Sequence, residues 1–261
     1  MWSDKIWLTV ETSSFCNYRC PDCSQHNLKL KNKCFIDNDF WYEIIDSFVE
    51  NRFHISNLNP FFRGEPLIHP DFGKLLLYTR KKAAEFLFCD FMTIHTNAYY
   101  LEEKNSYSLL EISDQKVFPH PNDVFLSLDA SNSDVYSKIR IGGDFERVKT
   151  NIINFLTLRK KRNQFGPNLI FQFIVRDENV NYICDFYYFW SEVLKKYSHK
   201  SFEVHFSENN NPWKVKTDTI YFRMLETSSN RKDFNMEIFN IGLKKLKEKG
   251  IIQNSELKKK Q

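Results

Sequence analysis

Three cysteines within eight residues are the part of the sequence whose residue type and spacing most clearly point to chemistry. Cys16, Cys20 and Cys23 follow the pattern C-x3-C-x2-C. In a protein that is not secreted, such a cluster indicates a metal site rather than a disulfide framework. Three further cysteines are scattered singly and are expected to be small buried side chains. The sequence therefore predicts a metal centre in this loop.

Two kinds of metal centre are compatible with this spacing. A structural zinc site needs four ligands, and His26 would supply the fourth beside the three cysteines. An iron–sulfur cube normally takes four cysteine ligands, so a loop with three leaves one iron open to a small molecule. The spacing alone does not choose between a zinc module and an iron–sulfur centre.

Further polar residues follow the predicted strands, at the points where those strands end. They are Arg63-Gly64-Glu65-Pro66, Thr96-Asn97 and Ser127-Leu128-Asp129. In parallel α/β folds, binding groups collect where the strands end and the following loops begin. We therefore expect these residues to share one site with the cysteine loop.

Short apolar segments of β character alternate with segments whose apolar residues recur at helical spacing. This alternation predicts an α/β protein with a parallel sheet wrapped by crossover helices, without distinguishing an open sheet from a full or partial barrel. The predicted strands are Ile6–Val10, His54–Phe62, Met92–His95, Val124–Leu128, Leu169–Val175 and Phe202–Phe206. The predicted helices lie at about 37–50, 71–86, 105–112, 144–160, 180–194 and 232–249.

The composition is typical of a globular protein with a sizeable core. Hydrophobic residues make up 42% of the 261 residues. The sequence has no apolar run of the length a membrane span needs and no signal-like N-terminal segment, so a cytoplasmic protein without a membrane partner is expected. The net charge of +4 is concentrated in 231–261, with nine Lys or Arg against four Asp or Glu. This pattern favours a solvated helix and tail, and nucleic acid is not an expected partner.

The loop Cys16-Asn-Tyr-Arg-Cys20-Pro-Asp-Cys23 resembles the signature loop of the radical S-adenosylmethionine (radical SAM) enzymes. Later motifs occur in the family's order, and the resemblance extends over about residues 5–213. Gly64-Glu65-Pro66 and Thr96-Asn97-Ala98 resemble the segments after the family's second and third strands. Ser127-Leu-Asp129, with Tyr136 and Arg140 after it, resembles the fourth-strand segment of the branch that includes sulfatase-maturing and peptide-modifying enzymes.

The resemblance implies a partial (β/α)6 TIM-like barrel over residues 1–213, followed by a helical cap and basic tail over 214–261. It implies a [4Fe-4S] cluster on Cys16, Cys20 and Cys23, whose open iron binds S-adenosylmethionine. Reductive cleavage would then give methionine and a 5′-deoxyadenosyl radical that abstracts hydrogen from a substrate. The implied partner is an electron donor such as flavodoxin or ferredoxin.

The same motifs supply the expected cofactor-binding residues. Gly64 and Glu65 offer acceptors for the ammonium group of S-adenosylmethionine, and Arg140 offers a fork-shaped cation for its carboxylate. Pro66 completes that second-strand segment. The ribose hydroxyls are expected to pair among Thr96, Asn97, Ser127 and Asp129, and the adenine to lie against Ile174 and Val175.

Three features depart from the family's pattern. Asp22 stands where an aromatic residue usually precedes the third cysteine, and its carboxylate is expected to change the surroundings of the cluster. Ala98 replaces the usual glycine, so a turn with positive φ would be strained there. No cysteine follows Cys184, so the auxiliary clusters of the peptide-modifying branch cannot be built from this sequence.

The sequence leaves the substrate open. A peptide or protein side chain is the first candidate, from the resemblance alone, and a nucleotide, sugar or other small metabolite is the second. A glycyl-radical activating enzyme is a further alternative, against which Ser127-Leu-Asp129 argues. The alternatives of another class are a non-catalytic zinc-binding module and a degenerate barrel that acts as a peptide- or nucleic-acid-binding adaptor.

Overall fold

The structure is a computed structural model that describes residues 5–27, 32–114, 116, 122–207, 215–226 and 231–253. Strands alternate with helices through these ranges, which confirms the predicted α/β class. The strands are β1 (Lys5–Thr9), β2 (His54–Asn59), β3 (Thr93–Thr96), β4 (Asp123–Ser127), β5 (Asn168–Val175), β6 (Phe202–Ser207) and β7 (Asp218–Met224). The helices are α1 (Ser24–Asn27), α2 (Asn38–Glu50), α3 (Phe72–Phe86), α4 (Glu103–Glu111), α5 (Ser133–Ile139), α6 (Phe145–Lys161), α7 (Ile183–Tyr197) and α8 (Lys232–Glu248). Within these ranges, no helix combines the length and apolar character needed to cross a membrane.

The strands form one two-stranded and one five-stranded group, and every paired strand is parallel to its neighbour. β1 pairs with β2, and the other five pair in the order β3-β4-β5-β7-β6. Isolated bridges from Ile55 to Cys89 and from Leu58 to Met92 bring β2 alongside the segment that enters β3. In the described ranges β1 and β6 remain unpaired on their outer sides, so the sheet is open rather than a closed barrel.

The two faces of the sheet differ in character, and this difference positions the site. Side chains along a strand alternate between the faces. On the outer face, Phe173 and Phe222 pack against Phe186 of α7, with ring centroids 4.8 and 6.0 Å from it. On the opposite, inner face, the rings of His95 and Phe125 stack with centroids 4.2 Å apart. The main hydrophobic core therefore lies between sheet and helices, and the inner face holds polar and aromatic groups.

A strand that the sequence analysis did not predict lies within the sheet. β7 pairs with β5 on one side and with β6 on the other. The assignment of residues 214–261 to a helical cap is therefore corrected for this strand, and α8 is the helix found in that region. Asp218 and Arg223 interrupt the apolar pattern of the strand, and their polar character hid a β signal that is otherwise clear.

A buried ion pair anchors the amino end of β7. Asp218 and Arg159 of α6 are both fully buried, and both terminal nitrogens of the guanidinium contact the carboxylate. Arg159 Nη1 also donates to the carbonyl of Pro167 at 2.8 Å, and Leu169 N donates to Asp218 Oδ1 at 3.0 Å. Burial opposes ionisation of Asp218, but the charge of Arg159 holds its pKa below the usual value. The carboxylate of Asp218 and both terminal nitrogens of Arg159 thus have hydrogen-bond partners, which a buried ion pair needs.

The cysteines outside the loop occupy three different environments. Cys89 is buried, as expected, and Cys184 is partly buried, but Cys34 is exposed. The expectation of burial is wrong for Cys34, because the backbone and not the side chain attaches this segment to the rest of the protein. Cys34 N donates to Ser14 Oγ at 2.7 Å, and Ser14 N donates to the carbonyl of Cys34 at 3.0 Å. The thiol of Cys34 is not needed for this attachment.

Candidate active site

The polar segments singled out in the sequence meet at the carboxyl edge of the sheet. The cysteine loop follows β1, Gly64 follows β2, Asn97 follows β3, and Ser127 closes β4. The side chain of Asn97 donates to Asn17 Oδ1 in the cysteine loop at 3.0 Å, across these segments. The structure therefore brings together residues that the strand-end rule predicted to be close.

The three cysteines of the loop are partly buried, and Cys20 and Cys23 both raise the pKa of Cys16. Cys23 N donates to the carbonyl of Cys20 at 3.1 Å, and Tyr18 N donates to Cys16 Sγ at 3.5 Å. Burial raises the pKa of the Cys16 thiol to about 11, with smaller contributions from Glu65, Cys20 and Cys23. A cationic metal centre would offset this cost, because the thiolate is the form that binds metal.

The thiols of the loop do not converge on a single metal ion. Among the described residues, no three His, Cys, Asp or Glu side chains form a group that could hold one ion. His26 lies in α1, but its side chain is outside the described part of the chain. The zinc hypothesis gains no support from this geometry. The ligands of an iron–sulfur cluster bind separate irons, and three thiols in one loop fit that group by their chemistry.

The Gly64-Glu65 segment is locked against the cysteine loop by backbone contacts. Glu65 N donates to the carbonyl of Phe15 at 2.7 Å. Glu11, just after β1, accepts a hydrogen bond from Gly64 N at 3.0 Å. A β-carbon on Gly64 would lie 1.8 Å from the carbonyl oxygen of Ser13, so a side chain does not fit there. Glycine is required at this position by the close approach of two backbone segments.

Substituting Gly64 with alanine is expected to displace the cysteine loop and to cost about 3 kcal/mol of unfolding free energy, because neither backbone can yield cheaply. Urea unfolding under anaerobic conditions would measure the loss. Gly250→Ala is the control: Gly250 has a φ of +68°, and no atom lies within 4 Å of its β-carbon position. That variant is expected to lose about 1 kcal/mol through backbone strain alone. Equal losses in the two variants would contradict the prediction.

Glu65 is buried, and its carboxylate holds the loop that follows β3. Thr96 Oγ1 donates to Oε1 at 2.6 Å, Asn97 N to Oε2 at 2.7 Å and Leu67 N to Oε1 at 3.1 Å. Burial raises the pKa of Glu65 to about 7, although these hydrogen bonds oppose the rise. Both carboxylate oxygens already have protein donors. Glu65 therefore links the loops after β2 and β3, a role that the expected contact with the ammonium group did not include.

Thr96 and Asn97 are likewise engaged within their own loop. The Thr96 hydroxyl accepts from Ala98 N at 3.0 Å, and Asn97 Oδ1 accepts from Tyr99 N at 2.9 Å. Ala98 has a φ of +61°, so the strained turn predicted for this alanine is present. Asn151 of α6 donates to the carbonyl of Ala98 at 3.1 Å and holds the turn in place. These side chains shape the site before any ligand is considered.

Two arginines and two aspartates form a chain of charges beside the cysteines. Arg140 Nη2 donates to Asp129 at 2.7 Å, and its Nη1 lies 3.8 Å from Cys20 Sγ. Arg176 lies 2.6 Å from Asp22 and 3.7 Å from Asp129. Burial opposes the charge of Arg140, but Asp129 and Cys20 hold its pKa above the usual value. The carboxylate of Asp22 is therefore compensated by Arg176 across the edge of the sheet.

Three buried nitrogen atoms in this region have no hydrogen-bond partner among the described residues. They are Nδ2 of Asn17 and the Nε atoms of Arg140 and Arg176. An unpaired buried donor is costly, so these atoms are candidate donors to a partner that binds from outside the chain. An excess of donors fits a negatively charged cluster and the carboxylate of S-adenosylmethionine.

The residues expected to bind the nucleoside are divided between the two faces of the sheet. Ser127 lies in register with Gln172 on the inner face, and its hydroxyl has no hydrogen-bond partner in the described ranges. Asp129 Oδ1 accepts from Ile174 N at 2.7 Å, so this carboxylate fixes β5 to the segment after β4. Val175 is fully buried in the main core. Because side chains alternate along β5, this placement corrects the expectation that the Val175 side chain lies against the adenine, and Ile174 faces the site instead.

Sequence reasoning assigned no role to two residues of this region, Arg176 and Glu11. Each stands just after a predicted strand, in the position that drew attention to Ser127 and Asn97. The signal was therefore available in the strand pattern. It was overlooked because neither residue belongs to a recognised motif.

Solved structures of proteins with bound S-adenosylmethionine have a similar fold. Streptococcus suis SuiB bound to S-adenosylmethionine matches with a TM-score of 0.57 and 14% identity, over 95% of this chain and 48% of SuiB. Native anSMEcpe with bound AdoMet matches with a TM-score of 0.61 and 18% identity, over 94% of this chain and 59% of that one. Native anSMEcpe with bound AdoMet and Cp18Cys peptide matches with a TM-score of 0.59 and 17% identity, over 91% and 58%.

These comparisons establish the fold. The chain spans about half to three-fifths of the length of the proteins it matches. No protein-family model matches the sequence, and no curated protein matches it. The chain shares the α/β fold of these proteins, with an open parallel sheet and flanking helices, and the α/β class agrees with the sequence prediction.

Proposed function

We propose that this protein is a radical SAM enzyme, which holds a [4Fe-4S] cluster on Cys16, Cys20 and Cys23, cleaves S-adenosylmethionine and abstracts hydrogen from a substrate. The observation that carries the proposal is the meeting of the three-cysteine loop with cationic, donor-rich groups at the carboxyl edge of the sheet. The shared fold of proteins solved with S-adenosylmethionine supports it.

The residues around the loop have distinct proposed roles. When bound, the cluster supplies the electron that splits the sulfonium of S-adenosylmethionine. Arg140 stabilises thiolate charge at Cys20, from which it lies 3.8 Å away. The contacts of Gly64 keep the loop in a fixed shape. The unpaired Nε groups of Arg140 and Arg176 donate to the carboxylate of S-adenosylmethionine, and the Ser127 hydroxyl pairs with its ribose.

A peptide or protein side chain is the proposed substrate. The likeness to anSMEcpe, one structure of which contains the Cp18Cys peptide, supports this choice. Among the described residues, β1 and β6 have no strand partner on their outer sides, and an extended chain would enter the inner face there. A small metabolite or nucleotide is the second candidate. The proposed electron donor is a flavodoxin or ferredoxin, and the proposed location is the cytoplasm, where free thiols stay reduced.

Anaerobic reconstitution with iron and sulfide tests the proposed function. We expect about four iron and four sulfide per chain, visible charge-transfer absorbance, and 5′-deoxyadenosine after reductant and S-adenosylmethionine are added. A colourless protein that retains one zinc ion would support the zinc module instead. An intact cluster without binding of S-adenosylmethionine would support the non-catalytic adaptor.

A further inference from the structure

Arg223 brings a positive charge to the inner face of the sheet near the carboxyl end of β7. Its neighbours along the strand, Phe222 and Met224, face the helices and belong to the main core. Because side chains alternate, Arg223 points to the opposite face, in register with Ile174 of β5. It therefore lies on the same face as Ser127 and at the same end of the sheet.

Arg223 has no anionic partner in the part of the chain that the structure describes. Its Nε atom is buried without a hydrogen-bond partner, and no Asp or Glu oxygen of the described residues lies within 4.0 Å of its side-chain nitrogens. By contrast, Arg140, Arg159 and Arg176 each pair with an aspartate. A half-buried guanidinium without a partner is unfavourable. We therefore expect its partner to be a ligand.

A stack of aromatic rings lies on the same inner face of the sheet. The ring of His95 is placed between Phe61 and Phe125, with centroid distances of 4.4 and 4.2 Å. Burial lowers the pKa of His95 to about 3, and the charge of Arg223 adds to the effect. His95 is thus neutral at physiological pH and adds no second positive charge. Among the described residues, the inner face therefore carries the Arg223 cation and an uncharged aromatic wall.

Gln172 adds an unpaired acceptor close to the cation. The residue is 4% exposed, and its Oε1 atom is buried with no hydrogen-bond partner in the described ranges. It lies in register with Ser127 on one side and with Tyr221, two residues before Arg223, on the other. An amide oxygen needs an N–H donor, which the ligand must supply.

We propose that Arg223 and Gln172 bind an acidic peptide, through a carboxylate of the peptide and a neighbouring backbone N–H. A guanidinium binds a carboxylate through two parallel hydrogen bonds. Gln172 Oε1 accepts the N–H, which a peptide has and a simple carboxylate lacks. Because Gln172 adjoins Ser127, the bound peptide lies next to the expected position of S-adenosylmethionine. The inference rests on the proposed function for the fate of the peptide, but binding is measured separately from the reaction.

The experiment measures peptide binding to the reconstituted protein by anaerobic calorimetry. The probe is an acetylated and amidated glycine–glutamate–glycine peptide, and the peptide with glutamine in the centre is its neutral counterpart. Arg223→Gln is expected to raise the Kd of the acidic peptide about tenfold to a hundredfold and to leave the Kd of the neutral peptide unchanged. Gln172→Leu is expected to raise the Kd of both peptides by the same factor. Arg52→Gln, at an exposed arginine, is the control and is expected to change neither.

Several outcomes would overturn the inference. These are equal affinity of the wild type for both peptides, an unchanged affinity of Arg223→Gln for the acidic peptide, and no saturable binding of either. Tighter binding of inorganic phosphate than of the acidic peptide would overturn the peptide assignment. Formation of 5′-deoxyadenosine, assayed in the same samples, separates the two proposals. Radical chemistry without Arg223-dependent binding refutes this inference alone, and Arg223-dependent binding without radical chemistry refutes the proposed function alone.

Discussion

Replacing Cys20 with alanine is expected to reduce 5′-deoxyadenosine formation to background and to lower the iron bound after reconstitution well below about four per chain. Two thiols in one loop cannot hold a cluster that needs three. The change also removes the sulfur that lies 3.8 Å from Arg140 Nη1 and leaves that guanidinium with a gap beside it. Iron and sulfide analysis, visible absorbance and product chromatography measure the effect.

Cys34→Ala is the matched control for Cys20→Ala. Cys34 is exposed, and its contacts with Ser14 involve only its backbone. The control is expected to load iron and form product at wild-type levels. If Cys34→Ala lost iron to the same extent as Cys20→Ala, the metal would not be assigned to the loop formed by Cys16, Cys20 and Cys23.

Replacing Asp218 with alanine is expected to lower the unfolding free energy by about 3–5 kcal/mol, because Arg159 would keep a buried charge without its partner. The melting temperature should fall by roughly 10 °C. Both side chains are fully buried, so solvent does not screen their interaction. Thermal and urea unfolding monitored by circular dichroism would measure the loss. Since Asp218 begins β7, the variant also tests how firmly this strand is held in the sheet.

The control for Asp218→Ala is Glu192→Ala, which breaks an exposed ion pair with Lys195 and is expected to change stability by less than about 1 kcal/mol. The pH dependence has a definite sign. The lowered pKa of Asp218 means that its contribution is present above about pH 4 and is lost as the pH falls towards its folded-state pKa. A loss below about 1 kcal/mol in Asp218→Ala would show that the buried pair is not stabilising the fold.

Local pattern predicted most of the fold, since strands such as β4 and β5 are short apolar runs bounded by polar turns. β7 was missed because Asp218 and Arg223 break its apolar pattern, and the burial of Asp218 is explained only by a distant partner. Asp218 is acceptable in a buried strand because Arg159, 59 positions away, neutralises it. No local signal in the sequence reports such a pairing.

Some residues of the site were predicted and others were not, again because some contacts join residues that are far apart in the sequence. The cysteine loop and Gly64 were found because their residue types are demanding in themselves. The role of Glu65 depends on Thr96 and Asn97, which approach it only in the folded chain. Val175 was named together with Ile174 because both stand at the end of the predicted strand, but neighbouring residues of a strand point to opposite faces of the sheet.

The pairing of Asp22 with Arg176 has a consequence for how such sequences diverge. The two residues are 154 positions apart, yet they lie 2.6 Å from each other at the mouth of the site. A homologue with an aromatic residue in place of Asp22 would leave Arg176 with one carboxylate nearby, that of Asp129 at 3.7 Å. We therefore expect these two positions to have been inherited as a couple, with homologues carrying either both charges or neither.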